Sequence, residues 1–139
     1  MRTEAREPPP GSRLGAPPVA LDSSCWLEYL ADTDRAGLYA EALERTADLI
    51  VPVLTIYEVH KKVLREAGRD AATQVAALMQ QGRVIGIDPP LALAASAHAL
   101  PLADSLIYET ARRAGAVLWT QDAHFAGLPG VRHFPKPGA

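Results

Sequence analysis

The sequence predicts an α/β domain with a mainly parallel sheet. Three observations lead there. Short apolar runs alternate with segments of helical periodicity, the runs are only a few residues long, and they lack the inside–outside alternation of a half-exposed strand. Strands separated by helices are joined most simply as parallel crossovers. Parallel strands covered on both faces read as continuously apolar.

Val19-Ala20-Leu21 is the first predicted strand, and DSSCWLEYL after it a helix with Trp26, Leu27 and Leu30 able to face a core. The charged, alanine-rich segment 34–47 predicts a second helix. LIVPV (49–53) reads as a buried strand that Pro52 ends or places near an edge. From Thr55, the residues Ile56, Val59, Val63 and Ala67 keep helical spacing as far as Gly68. Another helix covers 70–81, with Val75, Leu78 and Met79 inside. RVIGI (83–87) is a strand, and PPLALAASAHA a helix opened by proline. LPLADSLIYETARRAG (100–115) is a helix bracketed by Pro101 and Gly115. Its apolar face collects Leu102, Ala103, Leu106, Ile107, Ala111 and Ala114, with Ser105, Glu109, Arg112 and Arg113 opposite and Asp104 on the border, in the first turn. AVLW (116–119) is a strand, followed by TQDAHFAGLPG and a last strand near 131–134.

A chain of 139 residues is long enough for one domain with a real core. Its 48% hydrophobic and 22% charged residues are ordinary for a globular protein. No apolar run approaches the roughly 18 residues of a membrane span. Cys25 is the single cysteine, which excludes an internal disulfide and a cysteine zinc cluster and fits a reducing cytoplasm. The first 18 residues hold five of the twelve prolines and no apolar periodicity. They read as a disordered extension, or as residues added by an upstream start, and lack the apolar stretch of a secretion signal. The net charge of −2 counts against a nucleic-acid partner. That objection weakens if four carboxylates hold metal, because 14 basic residues then face 12 acidic ones.

Four acids stand at strand ends or helix starts. Asp22 follows the first strand, Glu58 and Asp104 lie in first turns, and Asp122 comes shortly after AVLW. In a parallel α/β sheet these places gather at one edge, where ligands bind. Separations of 36, 46 and 18 residues mean that only the fold can bring the four together. A set of oxygen donors without cysteine suits Mg²⁺ or Mn²⁺ rather than zinc. Ser23 and Thr120 are placed to orient a carboxylate or a bound water. Each acid also has a purely structural explanation. Asp22 and Asp122 are good N-caps, Thr55-Ile56-Tyr57-Glu58 is a capping box, and Asp104 suits the helix dipole.

VALDSSCWLEYL, VPVLTIYEVHKKV, LPLADSLIYETA and VLWTQDAHFAGLPGV resemble, in that order, the motifs of PIN-domain ribonucleases, above all the VapC toxins of bacterial toxin–antitoxin pairs. The resemblance covers residues 19–136 and leaves 1–18 as an extension and 137–139 as a tail. It implies a PIN-like three-layer domain, a central mainly parallel sheet flanked by helices. It also implies Mg²⁺- or Mn²⁺-dependent cleavage of RNA phosphodiesters, a homodimer, and a cognate antitoxin whose tail crosses the groove. Asp22, Glu58, Asp104 and Asp122 match the family's acidic positions, and Ser23 and Thr120 its hydroxyl positions. Ser23 stands where threonine is also common, a swap that keeps the hydroxyl, and the N-terminal extension is unusual for such toxins.

On this reading Asp22, Glu58 and Asp104 are the main metal ligands and Asp122 supports a first or second ion. RNA phosphates would fall to Lys61, Lys62, Arg65 and Arg69 after Glu58, and to Arg112 and Arg113 at the end of the Asp104 helix. Trp26 and Tyr57 are expected in the core. Tyr29 and Tyr108 are free to stack bases or to pack at a partner surface. His60 and His124 read as ordinary surface or core residues, and Cys25 as a small apolar one. A receiver-like phosphoacceptor would want a lysine after a late strand, and a haloacid-dehalogenase-type phosphatase a D-x-D where this chain has Asp22-Ser23-Ser24; neither is present. The remaining alternative is a non-catalytic PIN-like module that binds RNA or protein.

Overall fold

The computed structural model describes residues 15–137. The extension expected over 1–18 lies outside the described residues as far as residue 14, as do 138 and 139 of the tail. Five strands form one sheet: β1 (Val19–Leu21), β2 (Ile50–Pro52), β3 (Arg83–Ile85), β4 (Val117–Thr120) and β5 (Val131–His133). Their order is β3-β2-β1-β4-β5, and every neighbouring pair is parallel. Six helices flank them: α1 (Ser23–Leu30), α2 (Ala36–Leu43), α3 (Val53–Ala67), α4 (Arg69–Met79), α5 (Pro89–Ala95) and α6 (Leu102–Arg113).

The register explains the three layers. Ala20 pairs with Ile50 on one side and Leu118 on the other. These three side chains share a face of the sheet, as strand geometry requires. They pack with Ile107, Tyr108 and Ala111 of α6 and with Phe125. Their neighbours Leu21 and Val51 point to the opposite face, into a second core with Cys25, Trp26, Tyr39, Leu43, Val59 and Met79. With both faces covered, β1 and β2 have no polar side to display, which is why their sequences do not alternate, whereas the edge strands β3 and β5 are more exposed.

The strands and helices fall close to where periodicity puts them, with instructive departures. The second helix is shorter than 34–47: α2 ends at Leu43 and a 3-10 turn, Thr46–Asp48, leads into β2. Pro52 ends its strand but not at a sheet edge, since β2 lies between β3 and β1. With an extended ψ of 137°, Pro52 is itself the N-cap of α3, which therefore starts at Val53. Thr55 thus sits inside the first turn, fully buried, and no T-x-x-E capping box forms. The expected helix PPLALAASAHA stops at Ala95. On α6, Leu102 is 80% exposed while Ser105 is buried, because the contact with the sheet centres on Ile107, Tyr108 and Ala111. Tyr57, expected in the core, is 58% exposed, whereas Trp26 is buried. Among the described residues no helix is long and apolar enough to cross a membrane.

Gly68 alone joins α3 to α4, with φ at +92°, a conformation that side-chain-bearing residues rarely adopt. Gly82, just before β3, is fixed by space instead. A Cβ there would stand 2.6 Å from Val51 Cγ2 and 3.1 Å from the carbonyl oxygens of Leu49 and Thr46. Val51 is fully buried and has little room to yield. Gly82→Ala is therefore expected to destabilise the domain by about 1–3 kcal/mol, as overpacking does, measured by urea unfolding. A change within about 0.5 kcal/mol would show that the β2–β3 junction is looser than its packing implies.

Candidate functional site

Because every strand is parallel, all five C-terminal ends lie along one edge, and the residues after them share it. Asp22 follows β1 and Asp122 follows β4, while Glu58 and Asp104 enter from the early turns of α3 and α6. All four line one cleft of about 620 Å³, together with Ser23, Ser24, Gln121, Ala123, His133 and Lys136.

Asp22 is the most enclosed, at 5% exposure. Its backbone N–H extends the β1–β4 ladder, donating to the Trp119 carbonyl at 2.9 Å. Its carboxylate accepts from the Ser23 N–H at 2.9 Å and from the Thr120 hydroxyl at 2.9 Å. The Thr120 hydroxyl in turn accepts from the Asp122 N–H at 2.9 Å. One threonine thereby touches both acids. Ser23 lines the same cleft, and its side chain beside Glu58 lowers that carboxyl's pKa.

Burial raises the Asp22 carboxyl to about 6; the bonds from Thr120 and Ser23 oppose this, and the charges of Asp104 and Glu58 add to it. Glu58 is raised by burial and, in part, by Asp104. Asp104 is raised by burial and by Asp122. Three carboxylates that resist ionisation within one cleft leave room for a positive charge. Their oxygens are the donors that a hard divalent cation takes, so the residues present fit such an ion.

His124, which the sequence reading treated as ordinary, stands at this cluster. Its Nδ1 lies 3.1 Å from Asp104 Oδ2 and 3.2 Å from Asp122 Oδ1, and its N–H is capped by Asp122 Oδ1 at 2.9 Å. The hydrogen bond to Asp104, then the charge of Asp122, raises its pKa. The signal lay in TQDAHF, where a 3-10 turn capped by Asp122 (Ala123–Phe125) returns the side chain over the acids. The sequence reading finds no lysine after a late strand, yet Lys136 follows β5, a parallel strand that ends at the same edge, and lines the cleft with His133. Gln121 is clamped by Arg35, whose Nε donates to its Oε1, and itself donates to Glu28 Oε2 at 3.1 Å.

The basic residues singled out in the sequence lie outside the cleft lining. Lys62 pairs with Glu66 at 2.8 Å, Lys61 sits over the Tyr57 ring, Arg65 is in the last turn of α3, and Arg69 opens α4. Arg113 pairs with Glu109 at 3.3 Å, and Arg112 lies against Gly130. His60 sits on α3, half-buried, and Tyr108 is buried with its hydroxyl donating to the Pro129 carbonyl at 2.7 Å.

The raised pKa of Asp22 predicts a pH dependence. Its folded-state value of about 6 exceeds the ordinary 3.8, so the folded, metal-free chain keeps a proton that the unfolded chain releases first. That stability is fully present below the ordinary value and is lost as pH rises through 6, a difference of about 3 kcal/mol by pH 7. Asp22→Asn keeps the cap and removes the charge. In EDTA it is expected to be more stable than the parent at pH 7 and to lose most of this dependence between pH 4 and 7, measured by urea unfolding. A parent and variant with the same pH profile would place the dependence elsewhere.

Comparison with known proteins agrees with this geometry. The family profile described as the PIN domain matches residues 19–131. Among curated proteins none matches the sequence. A chain of a toxin–antitoxin complex from Klebsiella pneumoniae superposes with a TM-score of 0.73 at 20% identity, covering 85% of this chain and 99% of its own. VapC20 of Mycobacterium tuberculosis, a toxin that cleaves the sarcin–ricin loop, gives 0.59 at 18% identity, covering 86% and 91%. The DNA-bound VapBC of Salmonella typhimurium gives 0.63 at 16% identity, covering 86% and 98%. These structures share the fold, and the sequence match over nearly all of the described residues, with its acids gathered at one sheet edge, makes the chain a member of the PIN-domain family.

Proposed function

We propose that this chain is a divalent-metal-dependent endoribonuclease acting in the cytoplasm as the toxin of a toxin–antitoxin pair. The observation that carries the reading is the convergence of Asp22, Glu58, Asp104 and Asp122, from four distant parts of the chain, in one cleft. Structures of the same fold include a toxin–antitoxin complex, a DNA-bound VapBC and a toxin that cleaves the sarcin–ricin loop. They support an RNA substrate and an antitoxin partner here, and a homodimer belongs to the same reading.

Asp22, Glu58 and Asp104 would hold Mg²⁺ or Mn²⁺, with Asp122 completing the set. When bound, such an ion supplies an acidified water and positive charge against the phosphate. The chain's own residues supply the rest. Thr120 and Ser23 fix Asp22 so that its oxygens need not reorganise. A carboxylate of the cluster accepts the proton of the attacking water. Lys136, on the cleft wall, offers an ammonium to a phosphate oxygen. This replaces the more distant lysines and arginines as the first choice for contact near the scissile bond.

Purified chain, freed of any antitoxin, is expected to cut total cellular RNA into discrete fragments in Mg²⁺ or Mn²⁺ and not in EDTA. Asp104→Asn should reduce the rate by about 10²-fold or more with the thermal melt preserved. Undiminished cleavage by Asp104→Asn would overturn the assignment. Lys136→Ala should raise KM several-fold and make RNA binding less salt-dependent; an unchanged salt slope would remove Lys136 from the phosphate path. A second reading draws on the capping bonds that Asp22 and Asp122 do make. It describes a non-catalytic module whose acids are helix caps, and it predicts no cleavage and no cation binding.

A further inference from the structure

We propose that His124 is a metal ligand, so that the half of the site formed by Asp104, Asp122 and His124 has a mixed nitrogen and oxygen donor set. It takes a first-row transition ion such as Mn²⁺ in preference to Mg²⁺. The inference rests on the metal reading above and deepens it. One ring nitrogen of His124 and one oxygen from each of the two carboxylates lie within 4.8 Å of one another. Nδ1 is the nitrogen that faces the acids, at 3.1 and 3.2 Å. These are spacings at which three donors can share one ion.

The backbone holds this arrangement in place. Asp122 Oδ1 caps the 3-10 turn by accepting the His124 N–H. The next residue, Phe125, is fully buried against the Tyr108 side of the core, with ring centroids 6.3 Å apart. The turn is therefore pinned at both ends. Its imidazole stays 59% exposed, with no packing to break when it binds. Asp22 and Glu58 lie outside this three-donor group, and the side-chain partner of Asp22 is the Thr120 hydroxyl, an oxygen. The two halves thus differ in chemistry: oxygen ligands suit Mg²⁺, whereas an imidazole nitrogen favours softer first-row ions.

The test uses Mn²⁺ itself as the probe on the full chain at one fixed pH. Electron spin-echo envelope modulation of bound Mn²⁺ should show coupling to a directly bound ¹⁴N, lost in His124→Ala and retained in His133→Ala. Calorimetry should show Mn²⁺ affinity falling about tenfold or more in His124→Ala, with Mg²⁺ affinity changed much less. Thermal melts establish that each variant is folded. Bound Mn²⁺ without ¹⁴N coupling, coupling that disappears with His133 instead, or equal Mn²⁺ affinity in His124→Ala overturns the inference and leaves the carboxylate site standing. No binding of either cation by the parent chain overturns both.

Discussion

The parallel pairing of β1 with β4 is the constraint on which the site depends. The register of Leu21 against Trp119 continues one residue further, where the Asp22 N–H meets the Trp119 carbonyl. That step places the buried Thr120 hydroxyl 2.9 Å from the Asp22 carboxylate. The same hydroxyl accepts the Asp122 N–H, so two acids 100 residues apart in sequence share one rigid reference point. Shifting the register by one residue would turn Thr120 to the opposite face and sever the connection.

The cluster works against folding. Asp22 is buried deeply enough to resist ionisation, and its neighbours in the cleft oppose ionisation further. The stabilising term that offsets this comes from two cores rather than from the site. Leu21, Trp26, Tyr39, Val51 and Met79 pack on one side of the sheet, and Ile107, Leu118 and Phe125 on the other. Each such side chain contributes about 1.5–3 kcal/mol on burial, so a few of them outweigh the charge cost of about 3 kcal/mol. A bound cation would remove that cost, and its binding would then be coupled to folding.

The cleft is also built from parts that look unrelated in sequence. Arg35, at the start of α2, clamps Gln121 and donates to the Phe134 carbonyl at 2.9 Å, tying the floor of the cleft to the segment that carries Lys136. Phe134 stacks edge-on with Tyr39 at 5.1 Å, so this wall is anchored in the core. The side chains with freedom to meet a substrate therefore project from a fixed frame, as positioning requires.

The alternation of apolar runs with helical periods determined the α/β class and the strand positions, because burial on both sheet faces imposes a local pattern on the chain. The placement of Asp22, Glu58, Asp104 and Asp122 at strand ends and helix starts was legible for the same reason: parallel topology sends such positions to one edge. The tertiary structure alone decided the rest. Tyr57 is apolar enough for a core yet faces solvent, and Ser105 is polar yet buried, because the angle at which a helix meets the sheet is not written in its periodicity. Thr55 and Glu58 spell a capping box, but Pro52 caps the helix three residues earlier and Glu58 turns to the cleft. His124 meets Asp104 across 20 residues, a contact that depends on where a capped turn comes to rest against α6, and no local pattern encodes that distance.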